Sequence, residues 1–207
     1  RKNTVRLRKQ NGKYFLDFVY EKEEPPKKQE GEIVGLDQGY KKLLSTSTGE
    51  HLGIELNELY AKISRKKQGS KAFKRLLIHR TNEVNRACNQ LNLDETKELV
   101  VEDLKNLKYK SKLSTKIMNK LQRWLYPATM TKLEMLCEEN GVLLTKVNPA
   151  YTSQTCSRCG HVEKKNREGE LFSCLHCGYS LDADYNAAVN ISCMGVYSLH
   201  GSRSDSL

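Results

Sequence analysis

Several things are scarce or missing in this 207-residue chain, and each absence narrows its class. No apolar run approaches the roughly 20 residues of a membrane-spanning helix, and the N-terminus has no apolar signal-peptide core. Seven cysteines, an odd number without an export signal, argue against a disulfide framework. No Walker-type phosphate loop, dinucleotide glycine pattern or Ser-His-Asp set stands out. There is no internal repeat and no low-complexity tract. Prolines number only four, so each one punctuates the chain. Acids are in the minority, since 25 Asp and Glu against 35 Lys and Arg leave a net charge of +10. The expectation is a soluble, cytoplasmic protein, not a membrane one, whose partner is a polyanion, nucleic acid first.

What is present falls into segments. Asn11-Gly12 between two β-rich runs (3–20) predicts a hairpin. The charged, proline-containing stretch 21–30 reads as a linker. From Glu32 the pattern changes. Short apolar runs at 32–37, 41–48, 98–103 and 142–147 read as strands, and 49–53 as a turn with a further short strand. Helical patterns fill 56–93 and 112–140, and a short helix starts near Ala183. Ile117, Leu121 and Leu125, and then Leu133 and Cys137, recur at helical spacing. Pro127 is expected to kink or divide that helix, and Gly141 to stop it. The order predicts an α/β fold, a sheet with helices packed against it.

Cys156, Cys159, Cys174 and Cys177 form two Cys-x-x-Cys pairs separated by fourteen residues. Four thiolates at this spacing suit one tetrahedral Zn²⁺, and a site closed by four cysteines is structural. Gly160 and Gly178 follow each pair, where the turn needs a permissive backbone. A redox role would need a thioredoxin-like context, which is absent. His161 and His176 are read as supporting residues, and Cys88, Cys137 and Cys193 as core or surface residues.

Asp37 ends the first buried strand and Glu102 ends another. In an open α/β sheet reactive groups collect outside the carboxyl ends of the strands. A third acid stands at Asp182 or Asp184, before "YNAAVNI", where Ala187 and Ala188 would let a helix approach the sheet closely. Three converging carboxylates suit Mg²⁺ or Mn²⁺ and two-metal phosphodiester hydrolysis.

The segments "GLDQGYKKLLSTSTG", "LVVEDLKNL", "PAYTSQTCSRCG" and "DADYNAAVNI", in this order, resemble the nuclease region of the TnpB proteins of insertion sequences. Those are RNA-guided DNA endonucleases related to the type V CRISPR effectors. The resemblance covers about residues 32 to 191. It implies an RNase H-like (RuvC) mixed sheet flanked by helices, with an inserted four-cysteine zinc ribbon. It implies a RuvC-like domain at 31–151 and 182–207, the ribbon at 152–181, and at 1–30 the end of a preceding domain. It assigns catalysis and magnesium binding to Asp37, Glu102 and Asp184, with Asp182 and Asp103 as neighbours. The ribbon ligands are the four cysteines, and Asn186 and Asn190 are supporting positions. The implied partners are a DNA substrate and, for the longer parent protein, a guide RNA. The implied origin is prokaryotic or a mobile element.

Two basic runs complete the picture. Residues 62 to 80 hold eight Lys or Arg and no acid, and residues 105 to 123 hold seven and no acid. Arg65, Lys66, Lys67, Lys71, Lys74, Arg75, Lys105, Lys108, Lys110 and Lys112 are the expected phosphate contacts. Tyr109, Trp124 and Tyr126 are candidates for base stacking, although Trp124 also suits a core position. Two other functions use parts of the same pattern: a non-catalytic nucleic-acid-binding module, and a transposase that joins strands.

Overall fold

The computed structural model describes residues 4–10, 12–19, 22–104 and 125–201. Its first two strands, β1 (Thr4–Gln10) and β2 (Lys13–Val19), pair antiparallel with Gln10 opposite Lys13. Their side chains are exposed apart from one half-buried position, Asp17, so this hairpin has no core of its own.

The stretch expected as a linker is stitched down instead. The backbone N–H of Lys28 donates to the Gly141 carbonyl at 2.8 Å, and its ammonium donates to the carbonyls of Leu93 and Asp94. The Lys27 ammonium reaches the Val142 carbonyl at 3.2 Å. Gly141 is needed twice at this junction. Its φ of 64° ends a helix in the left-handed region, and a Cβ there would strike the Pro26 carbonyl.

The main sheet has five strands: β3 (Glu32–Gln38), β4 (Leu44–Thr46), β5 (His51–Leu52), β6 (Thr96–Glu102) and β7 (Leu143–Val147). Their order across the sheet is β5-β4-β3-β6-β7. The first three form an antiparallel meander, and β6 and β7 run parallel to β3. The parallel strands require crossovers. Helices α1 (Leu56–Ser64) and α2 (Lys71–Cys88) lie between β5 and β6, and α3 (Tyr126–Asn140) lies between β6 and β7. The Ser70 hydroxyl caps α2 by accepting from the Phe73 N–H at 3.1 Å. Pro127 stands in the first turn of α3 and opens that helix. A missing N–H costs nothing there, and the helix begins beside this residue, while 105–124 before it lie outside the described residues. Ile117 and Leu121 lie outside the described residues.

Alternation along the strands sorts the sheet into two faces. Val34 and Leu36 of β3, with Leu99 and Val101 of β6, join the main core with Tyr60, Ile63, Val84 and Leu133 from the helices. Gly35, Asp37, Glu98, Val100 and Glu102 point to the other face. That face is covered by the last helix, α4 (Ala183–Gly201). A Cβ on Gly35 would collide with the Ala188 carbonyl oxygen and the Ser192 backbone nitrogen. Glycine at 35 and buried alanines at 187 and 188 therefore let α4 lie directly on β3.

The chain between β7 and α4 makes a second, small sheet of β8 (Arg167–Glu168), β9 (Leu171–Ser173) and β10 (Ser180–Asp182), in the order β10-β9-β8. Its own core is Phe172 with Cys156, Cys174 and Ala183. So little apolar burial cannot hold a sheet alone, and a metal is the usual supplement.

Candidate active site

Asp37 and Glu102 lie near the carboxyl ends of two adjacent parallel strands. The pairing of Leu36 with Val101 sets them side by side on the face that α4 covers. Asp184 belongs to the first turn of α4. All three line one cavity of about 540 Å³, together with Lys42, Thr152 and Arg167.

The start of α4 is built around Asp182. Its Oδ1 accepts from the N–H groups of Asp184 and Tyr185, both at 3.0 Å, as an N-cap does. Its Oδ2 accepts from the Lys42 ammonium at 2.6 Å, and that ammonium also lies 3.3 Å from Asp184 Oδ2. Burial works to raise the Asp182 pKa, but the bonds from Lys42 and the Tyr185 N–H outweigh it and hold the carboxyl below its usual range. Asp182 is thus a cap and ion-pair partner that fixes the turn carrying Asp184. Asp103 is exposed, and its backbone N–H continues the ladder to Val147.

The electrostatics of Asp37 and Glu102 are strained. Burial, reinforced by Glu102 and Asp184, pushes the Asp37 carboxyl up to about 7, against the pull of Arg167 and Lys42. Burial also raises Glu102, opposed by a hydrogen bond from Thr152 and by the Arg167 charge. Carboxylates crowded and desolvated in this way gain most from an added cation.

Three further side chains complete the cavity, and the sequence reading singled out none of them. The Thr152 hydroxyl donates a short hydrogen bond to Glu102 Oε1. The Arg167 guanidinium donates to Asp184 Oδ1 at 2.7 Å. Lys42 bridges the two aspartates at the start of α4. Thr152 lies inside the segment "PAYTSQTCSRCG", but Arg167 lies between the two cysteine pairs, outside every quoted segment.

The four cysteines meet as expected. Their ligand atoms all lie within 4.8 Å of one another. Cys156 and Cys177 Sγ are 3.7 Å apart, and Cys159 and Cys174 Sγ are 3.6 Å apart. A tetrahedron with Zn–S bonds of about 2.3 Å has edges of about 3.8 Å, so the sulfurs fit zinc. Two equivalent turns present them, closed by the N–H groups of Gly160 and Gly178 on the carbonyls of Cys156 and Cys174, both at 2.9 Å. The rings of His161 and His176 stack on each other with centroids 5.4 Å apart, outside this sulfur set.

Among the described residues this is the one group of three or more potential ligands so compact. The three carboxylates stand wider apart, and Asp184 is engaged by Arg167 and Lys42. The donor set of three acids suits a hard divalent cation.

Asn186 and Asn190 bind the base of the small sheet to α4. Asn186 accepts from the Ser157 N–H at 3.0 Å and donates to the Thr155 carbonyl at 2.8 Å. Asn190 donates to the carbonyls of Thr152 and Thr155 at 2.9 and 2.7 Å. The loop that carries Thr152 is therefore held from the same helix that carries Asp184.

Arg65, Lys66, Lys67, Lys71, Lys74 and Arg75 are all exposed, at the turn before α2 and in its first turns. That end of the helix carries no acid, so its partial positive charge adds to theirs. Lys105, Lys108, Lys110 and Lys112 lie outside the described residues, as do Tyr109 and Trp124. Tyr126 is not a surface platform. It is buried, its hydroxyl accepting from the Leu104 N–H at 3.0 Å and donating to the Glu102 carbonyl at 3.3 Å. Among the described residues no helix is long and apolar enough to cross a membrane.

Known proteins share parts of this sequence and fold. Residues 126–191 match the family model "Cas12f1-like, TNB domain". The chain is similar to the CRISPR-associated endodeoxyribonuclease Cas12f1 of Sulfoacidibacillus thermotolerans, at 47% identity over 35% of this chain and 17% of that protein. It is similar to a TnpB-like protein of Aquifex aeolicus, at 37% identity over 44% of this chain and 31% of that protein. A longer match, 27% identical, links 91% of the chain to 42% of the CRISPR-associated endodeoxyribonuclease Cas12f2 of a Micrarchaeota archaeon. The fold is close to that in the cryo-EM structure of a Cas12f1-sgRNA-target DNA complex, with a TM-score of 0.57 at 22% identity. That likeness covers 91% of this chain and 55% of the other. The chain thus spans about half the length, or less, of the proteins it matches. Its mixed sheet, its four-cysteine cluster and these likenesses lead to one conclusion: residues 126–191 match a Cas12f1-like TNB domain, and the chain is similar in sequence and fold to TnpB-like proteins and Cas12f effectors.

Proposed function

We propose that this chain is the DNA-cleaving part of an RNA-guided endonuclease, and that it hydrolyses DNA phosphodiesters to leave 5′-phosphates. The observation that carries the reading is the meeting of Asp37, Glu102 and Asp184 in one cavity from three distant segments, with Asp37 and Glu102 held above their usual pKa range. The strand order β5-β4-β3-β6-β7, a meander followed by two parallel strands, supports an RNase H-like (RuvC) domain at 31–151 and 182–207. Residues 152–181 are then a zinc ribbon inserted before the last helix, and 1–30 the end of a preceding domain. The relatives named as endodeoxyribonucleases, and a solved neighbour that holds sgRNA and target DNA, support DNA as substrate and RNA as guide in the longer protein.

In this reading the three carboxylates hold Mg²⁺ or Mn²⁺. A pair of such ions, when bound, lowers the pKa of the attacking water and neutralises charge on the leaving 3′-oxygen. The chain's own groups do the rest. Thr152 fixes Glu102 Oε1, so the carboxylate presents one orientation. Asp182 and Lys42 fix the turn that carries Asp184. Arg167 exchanges Asp184 for the phosphate that is cut and offsets its charge. The exposed cations before α2 hold the flanking backbone without regard to sequence.

The test is cleavage of a labelled single-stranded DNA in Mg²⁺ and in EDTA, beside the Asp184→Ala protein. Metal-dependent cutting that the variant lacks is the expected result. Binding without cutting, even with the rest of a full-length relative supplied with its guide, would leave a non-catalytic binding module. Joined products would point to a transposase.

A further inference from the structure

Tyr151 is the one non-glycine residue among those described with a positive φ, 66°. Its turn imposes that conformation. The Tyr151 carbonyl accepts from the N–H groups of Gln154 and Thr155, at 2.9 and 3.0 Å, and from the Thr155 hydroxyl at 2.8 Å. The same turn brings Thr152 to Glu102. Glycine or asparagine would adopt this backbone at lower cost than an aromatic residue. Burial does not offset the cost here, because Tyr151 is 63% exposed. A strained residue that gains nothing from packing points to a role outside the fold.

The position of the turn says what that role is. Pro149 on one side of Tyr151, and Thr152 and Ser153 on the other, line the cavity that holds Asp37, Glu102 and Asp184. Lys41, Lys42 and Arg167 line the same cavity, paired with Glu170, Asp182 and Asp184, and can turn to a phosphate once a cation neutralises those acids. A strand whose phosphate entered there would carry its adjoining bases past this loop. We infer that the Tyr151 ring is a stacking platform for an unpaired nucleobase next to the phosphate bound in the cavity. Stacking of this kind tolerates any base and requires a single strand, because a paired base keeps its faces inside the duplex. It takes the place of the aromatic residues that the sequence offered for this purpose, of which Tyr126 is buried. The inference rests on the cavity being a nucleic-acid site.

The experiment measures binding in EDTA, so that it does not depend on cutting. The probes are a short oligothymidylate and an abasic oligomer of the same length. Tyr151→Ala should weaken oligothymidylate binding about tenfold and leave abasic binding unchanged. Tyr151→Trp should restore the preference. Tyr151→Asn should lose the preference as Ala does, with a melting temperature no lower than that of the parent, since it relieves the backbone. Equal loss on both probes, a drop in melting temperature with Asn that parallels the lost affinity, or no binding of either probe would overturn the stacking site. A protein that shows the preference yet cuts nothing in Mg²⁺ keeps the stacking site and loses the nuclease reading. One that cuts with Tyr151 indifferent does the reverse.

Discussion

The cysteine cluster and the carboxylate cluster of this molecule are built in opposite ways. The cysteine sulfurs come from two short turns of one small sheet and stand 3.6 and 3.7 Å apart in pairs, already close to what a tetrahedral ion needs. The carboxylates come from β3, β6 and α4, 147 positions apart from first to last (184 − 37), and stand wider. The first cluster is local, soft and closed. The second depends on the whole sheet, is hard and open, and keeps cationic side chains against one of its acids. A site that only holds a fold can be closed. A site that must take and release a substrate has to leave ligand positions free. The two are not independent, however, because Thr152 and Arg167 stand in the segment that carries the cysteines and touch Glu102 and Asp184.

That coupling is most sharply broken by removing zinc. Cys174→Ala should take the bound zinc from about one ion per chain to none, which elemental analysis reads. The small sheet has Phe172 as its only large buried side chain and should lose its structure without the metal. Arg167 and Thr152 then lose their places, and cleavage should fall by at least about a hundredfold. The main sheet should survive in far-ultraviolet circular dichroism. Full cleavage without zinc would show that the two clusters work separately.

A finer cut tests the contact itself. Thr152→Val keeps the shape of the side chain and deletes the hydroxyl that Glu102 accepts from. Thr152→Ser does the opposite. If the hydroxyl orients the carboxylate, Val should lower Mn²⁺ affinity and cleavage by about 10- to 100-fold, and Ser should retain most of both. The reverse ranking would mean that Thr152 only fills space. Mn²⁺ binding followed by calorimetry gives a readout apart from the rate.

How much of this was legible beforehand differs between the clusters for the same reason. Cysteine spacing is a local signal, and it picked out the four cysteines that the fold brings together. The strand ends gave Asp37 and Glu102, because a buried strand that terminates in an acid is visible in the pattern. The third acid was ambiguous between Asp182 and Asp184 until the resemblance chose. The structure gives the two different jobs, since one caps α4 and the other faces the cavity. Arg167 and Lys42 were not legible, because their meaning lies in contacts across 17 and 142 positions with Asp184. The linker reading of 21–30 missed the docking of Lys27 and Lys28, since charged, proline-containing composition says nothing of backbone carbonyls awaiting a donor. Pro127 was read as kinking or dividing a helix, because its place in the first turn of α3 could not be seen.

The smallest effect expected concerns the cost of keeping the carboxylate cluster without a cation. The Asp37 carboxyl is raised from an ordinary 3.8 to about 7 in the fold. Below about pH 4 it is protonated in the folded and unfolded chain alike and costs nothing. As pH rises toward 7 the unfolded chain ionises first, so the metal-free fold loses stability. Above 7 the loss is complete. Water in the open cavity screens the charges, which brings the expected penalty to about 1–2 kcal/mol. Asp37→Asn removes the charge, so the metal-free variant should melt a few degrees above the parent at pH 8 and no higher at pH 4. Added Mn²⁺ should reverse the order at pH 8, since the parent can bind it through Asp37 and the variant cannot. Glu102, also raised, adds to the same trend in both proteins and cancels in the comparison. A variant that melted below the parent at pH 8 without metal would mean that the Asp37 charge is already satisfied by Lys42 and Arg167. The cavity would then have no electrostatic need of a further cation.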